Sequence, residues 1–115
     1  MAHSGADKRK AVRVPVDFEV SFIFESREHQ ARALNLSADG MFLKTEYTPL
    51  LNDIIEIYFR LPEIPEPLWM KARVAWGTFL EGQSSSISGI GVQFLEPLPS
   101  QREQLEGYLQ HLLKS

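Results

Sequence analysis

The feature that most constrains this chain is a stretch of strict alternation. From Val14 to Phe24 every even position is apolar: Val14, Val16, Phe18, Val20, Phe22 and Phe24. Asp17, Glu19, Ser21 and Glu25 fall at the odd positions around them. A period of two puts one set on one face of an extended chain and the other set on the opposite face. The segment therefore reads as a long strand with one buried face. Pro15 stands at its start, where a missing backbone donor is tolerated.

The same pattern recurs along the chain. A turn around Ser26 to Glu28 leads to a second strand, roughly His29 to Leu36, which "SADG" breaks. Met41 to Lys44 gives a short third strand, and "TPLLND" is a connection with turn chemistry. Ile55, Ile57, Phe59 and Leu61 alternate with Glu56, Tyr58 and Arg60 in a fourth. "PEIPEP", Pro62 to Pro67, holds three prolines and is excluded from a central strand. Leu68, Met70, Ala72, Val74 and Trp76 alternate with Lys71 and Arg73 in a fifth, and "EGQSSS" at Glu81 to Ser86 is a flexible loop. Ile90, Val92 and Phe94, with Gly89 and Gly91, make a sixth. The period then changes. Leu105, Tyr108, Leu109 and Leu112 lie at i, i+3, i+4 and i+7, one face of a helix over about 100–114. Ser100 followed by Glu103 has the spacing of a capping box, with Pro99 just before it. Six strands with short antiparallel connections and one terminal helix predict an all-β domain, a small barrel with the helix packed on it or across one end.

Size and composition agree with one domain over residues 9–115, preceded by a flexible tail at 1–8. The 115 residues are 43% hydrophobic and 23% charged, the profile of a soluble globular protein. There are no cysteines, which removes disulfide and thiolate chemistry and fits a reducing compartment. With no apolar run long enough to span a bilayer and no signal-like start, the expected location is cytoplasmic, without membrane insertion. The charge is uneven. Residues 1–13 carry Lys8, Arg9, Lys10 and Arg13 against Asp7, a local +3, so a chain of net -3 carries -6 elsewhere. An acidic body repels nucleic acid and anionic lipid, so a recognised anion should be small and should meet the N-terminal arm.

No enzyme is legible. His3, His29 and His111 have no metal-ligand spacing, and Ser37 has no evident base or orienting partner. Two other motifs stand out. Arg9 and Arg13 form an Arg-x-x-x-Arg whose guanidinium forks suit phosphate or the O6/N7 edge of guanine. On an extended arm a spacing of four puts both on one face. The bland reading is a solvated basic tail. "NLSADG", Asn35 to Gly40, sits at the end of a strand. Asn35 and Ser37 offer polar groups on one strand face, and Gly40 permits a close approach that a side chain would forbid. Here the bland reading is a turn in which Asn35 and Ser37 bond nearby backbone.

Taken together, Arg-x-x-x-Arg on an N-terminal arm, then Asn-x-Ser-x-x-Gly at a strand end, in a six-stranded domain of this length, resembles the PilZ domain family. The resemblance runs from about Lys8 to the terminal helix and includes "GIGVQF" at Gly89 to Phe94. It implies a receptor for the bacterial second messenger cyclic di-GMP that needs no cofactor. By that resemblance Arg9 and Arg13 hold phosphates and guanine edges. Asn35 and Ser37 bond a guanine, and Gly40 leaves room for it. Lys8 and Lys10 flank Arg9 and are placed to add charge or cover a base, and Trp76 is a candidate stacking ring or a core residue. The arm is expected to order on binding and to signal in trans to a protein partner in motility, adhesion or exopolysaccharide control. The terminal helix, or Phe79 and Leu80, is a candidate homodimer surface. The rival is a ligand-independent protein adaptor of the same fold. A single-strand nucleic-acid barrel would need a basic groove with interleaved aromatics, which the acid-rich strands do not supply.

Overall fold

Alternation becomes strands wherever the sequence carries it. The structure, a computed structural model, describes residues 13–47, 49–78 and 88–114, with backbone alone for 76–78. The tail at 1–8, the cations Lys8, Arg9 and Lys10, the "EGQSSS" loop and the pair Phe79 and Leu80 lie outside the described residues, as does the side chain of Trp76. Within them the order is β1 (Val14–Phe24), β2 (Arg27–Leu36), β3 (Gly40–Lys44), β4 (Ile54–Phe59), β5 (Leu68–Thr78), β6 (Gly89–Leu95) and a helix, α1 (Pro99–Lys114). The strands form a closed barrel in the order β1-β2-β3-β6-β5-β4, with every neighbouring pair antiparallel. Pairing of Val20 with Phe59 through Ile23 with Glu56 shuts the ring between β1 and β4.

The inward faces are those the alternation marks. Val20, Phe22, Ile55, Ile57, Phe59, Ala72, Val74 and Ile90 are all buried. The Phe59 ring stacks with Phe18 at 5.9 Å and with Phe94 at 6.4 Å. Each such ring contributes about 1.5–3 kcal/mol by burial.

The β1–β2 connection is tighter than the sequence suggests. Phe24 pairs with Arg27, so Glu25 and Ser26 alone make the turn, and β2 begins two residues before His29. Both turn residues have positive φ, 54° and 65°, the signature of a type I′ hairpin. At the other end of β4, Ile64 N–H donates to the Leu61 carbonyl at 3.0 Å. Pro62 and Glu63 are the central residues of that turn, and Glu63 has φ 69°, the type II pattern.

The helix starts at Pro99, and the expected Ser100–Glu103 capping box does not form. Arg102 N–H donates to the Leu98 carbonyl at 2.9 Å, which makes Leu98 the cap and Pro99 the first helical residue. Gln101 supplies the reciprocal bond, its Oε1 accepting from Leu98 N–H at 2.9 Å. Gln101 Nε2 also donates to the Trp69 carbonyl at 2.9 Å and so ties the helix to the start of β5. Leu105 and Leu109 enter the barrel core, with Tyr108 and Leu112 packed beside them, as the helical spacing predicts. Burial first, and then the Glu63 carboxylate, push the Tyr108 hydroxyl above its ordinary pKa. No helix among the described residues is long and apolar enough to cross a membrane.

Candidate functional site

The site region begins with a change of phase in β2. Ala31 and Ala33 are buried at odd positions, but the next fully buried residue is Leu36, at an even one. One residue has been inserted. The β2–β3 register shifts between Ala33 and Asn35, and the β1–β2 register shifts between Pro15 and Phe18, opposite the same residue, Leu34. Bulges of this kind re-aim side chains. Here the result is that Leu36 stays in the core while Asn35, beside it, is half-buried.

Asn35 joins the two sequence motifs. Its Oδ1 accepts from Arg13 Nη1 at 2.8 Å and from the Phe42 backbone N–H at 3.2 Å. Arg13 itself is exposed, immediately before β1. Thus the last arginine of the basic arm and the first residue of "NLSADG", far apart in sequence, meet at the edge of the barrel surface. Arg9 lies outside the described residues, so the structure brings together one arginine of the pair with the turn.

Ser37 is buried, at 1% exposure, and its hydroxyl is engaged inside the turn. Oγ accepts from the N–H groups of Asp39 at 3.1 Å and Gly40 at 3.2 Å, while Ser37 N–H donates to the Gly40 carbonyl at 2.9 Å. The backbone-bonding alternative is therefore the geometry of Ser37. Its hydroxyl is a clasp that shapes the turn presenting Asn35. Gly40 is required by a neighbouring strand. A Cβ there would lie 2.0 Å from the Val92 carbonyl oxygen, so only glycine lets β3 approach β6. Asp39 completes the join, its carbonyl accepting from Phe94 N–H at 2.8 Å.

Arg32 donates from Nε to Asp17 Oδ1 at 2.6 Å on the outer face of β1 and β2. Trp76 stands opposite Gly91, with a register shift between Val74 and Trp76. Among the described residues no three of His, Asp and Glu are grouped to hold a metal ion. Sequence reasoning missed the Phe42 N–H, a backbone group with no sequence signature, and the bulge at Leu34. The jump from odd to even inward positions between Ala33 and Leu36 is the signal that could have found the bulge.

The sequence matches the PilZ domain over residues 7–111. The chain belongs to the PilZ domain family. Solved PilZ-type structures share its fold. MotI/DgrA, the inhibitor of motility from Bacillus subtilis, superposes with a TM-score of 0.77 at 19% identity, over 93% of this chain and 52% of its own. YcgR from Escherichia coli, in complex with c-di-GMP, gives 0.71 at 14% identity, over 93% of this chain and 46% of its own. The PilZ domain of CeSA, from a cellulose-synthesizing bacterium, gives 0.61 at 18% identity, over 89% of this chain and 98% of its own. This chain thus spans about half the length of the first two. No curated protein matches it in sequence. PilZ domains are binding adaptors rather than enzymes.

Proposed function

We propose that this PilZ domain is a cytoplasmic receptor for cyclic di-GMP. The observation that carries the reading is the 2.8 Å bond from Arg13 to Asn35, which places a guanidinium and an amide side by side at the end of β2. A cyclic dinucleotide carries two phosphates and two purines, and it needs cations and directed polar groups together. In this reading Arg13 and Arg9 take phosphate and guanine edges, with Lys8 and Lys10 adding charge. Asn35 addresses a base. Ser37 and Gly40 serve by fixing the turn from which Asn35 projects. Trp76 is a candidate stacking ring. Likeness to YcgR, solved with c-di-GMP, supports the choice of ligand.

Binding then orders the arm against the barrel. The conformational entropy lost is offset by charge-assisted bonds and stacking. The altered surface engages a protein partner in motility, adhesion or exopolysaccharide control.

Calorimetric titration with cyclic di-GMP, with GTP and cyclic di-AMP as controls, tests the reading. Saturable and selective binding is expected. Arg9→Ala and Arg13→Ala should each remove most of the binding and leave the melting temperature nearly unchanged, because Arg13 is exposed and precedes the barrel. A folded wild-type chain that binds none of the three would sink the proposal.

A further inference from the structure

The outer face of β4 and β5 carries an apolar patch that the site at Asn35 does not use. Trp69 is 51% exposed, Tyr58 39% and Leu98 60%. Tyr58 and Trp69 stand opposite one another in the β4–β5 ladder, with their rings edge to face at 5.3 Å. Gln101 ties Leu98 to them. Its Oε1 accepts from Leu98 N–H and its Nε2 donates to the Trp69 carbonyl, both at 2.9 Å. The patch is therefore in place before anything binds, which lowers the ordering cost of an encounter. Exposed aromatic rings held in this way are the usual anchors of protein interfaces.

A cavity of about 460 Å³ opens beside Trp69, with Leu95, Leu98, Lys71 and Glu96 in its lining. Lys71 and Glu96 are both exposed, yet among the described residues neither makes an ion pair, and Lys71 makes none with Glu56 opposite it in the ladder. Glu96 is set on this rim by backbone in the left-handed region, at φ 47°, which non-glycine residues seldom hold. The two charges decide the partner. A rim of one sign would call for a partner of the other sign. A patch with an anchor, a cavity and one unpaired charge of each sign is complementary to itself.

We propose that this face docks a second copy of the chain about a twofold axis. Each copy sets its Trp69 against the cavity of the other, and its Lys71 against Glu96 of the other, so that one set of contacts is made twice. Tyr58 and Leu98 are covered in the same step. The face lies on other strands than Arg13 and Asn35, so the inference stands apart from the identity of the ligand.

Sedimentation velocity of the full chain from about 5 to 500 µM covers the weak affinities of a small interface. The wild-type chain should pass from monomer to dimer across that range. Trp69→Ala should weaken the dimer about thirtyfold, as loss of an anchor does. Lys71→Glu and Glu96→Lys, each alone, should weaken it about tenfold, because like charges then meet. An equimolar mixture of those two variants should dimerise again, since each then carries the charges that the other lacks. All three side chains are exposed, so every variant should keep the wild-type melting temperature. A wild-type chain that stays monomeric throughout overturns the proposal. So does a dimer that Trp69→Ala leaves intact, or a mixture that stays as weak as its two components.

Discussion

Strand β2 has a turn at each end, and the two are built on opposite principles. At its start, Glu25 and Ser26 reverse the chain in the fewest residues, both exposed and both in the left-handed region. At its end, Ser37 to Gly40 contains no non-glycine residue of positive φ and is bonded internally through a buried hydroxyl. The first turn tolerates strain because its only task is reversal. The second is relaxed, buried at Ser37 and Gly40 and pinned to β6, and it carries Asn35 beside it. Backbone strain is placed where nothing depends on exact position, and a satisfied hydrogen-bond set is placed where an amide must be aimed.

Substitutions that exchange these properties should break the contrast. The largest effect is expected from Gly40→Ala, because the added methyl meets the rigid Val92 carbonyl and not a side chain that can swing away. Overpacking of this kind costs about 3 kcal/mol, read as a lowered urea midpoint. A loss below about 1 kcal/mol would show that the β3–β6 approach is softer than described. Next comes Ser37→Ala, which leaves the Asp39 and Gly40 N–H groups without their acceptor. Its cost should be about 2 kcal/mol in the same measurement, with weakened binding of cyclic di-GMP. The smallest effect, of opposite sign, belongs to the strained turn. Ser26→Gly relieves a left-handed residue at φ 65° and should stabilise the chain by about 0.5 kcal/mol after glycine's own entropy cost. If Ser26→Gly destabilises instead, the strain assigned to the first turn is wrong.

The same contrast explains what the sequence reveals and what it hides. Strands are legible where the ladder is regular. The β4–β5 pairing runs without a shift from Ile54 with Arg73 to Phe59 with Leu68, and the residues there alternate without a break. A bulge inserts one residue without any change in composition, so the corner at Leu34, where two shifts meet, is invisible except as a change of phase. The helix is legible from Leu105, Tyr108, Leu109 and Leu112, but its cap is not. Ser100 and Glu103 have the right spacing, yet Pro99 fits the first helical position so well that the cap falls two residues earlier, at Leu98. At the site, family resemblance marks Arg13 and Asn35 as ligand-binding residues. That they bond one another, and that Ser37 is consumed by its turn, depends on pairing across strands that no local pattern records.

The strand order has a consequence for how the molecule comes into being. β6 is the last strand in the chain, yet it lies in the ring between β3 and β5. Hairpins β1–β2–β3 and β4–β5 can form as they are synthesised, but the ring cannot close until Leu95 has left the ribosome. Nascent chains ending short of that point expose the apolar inner face of an open five-stranded sheet, β3-β2-β1-β4-β5. Long-range closure of this sort slows folding and lengthens exposure to aggregation, so the period just before β6 emerges is the one in which a chaperone is most needed.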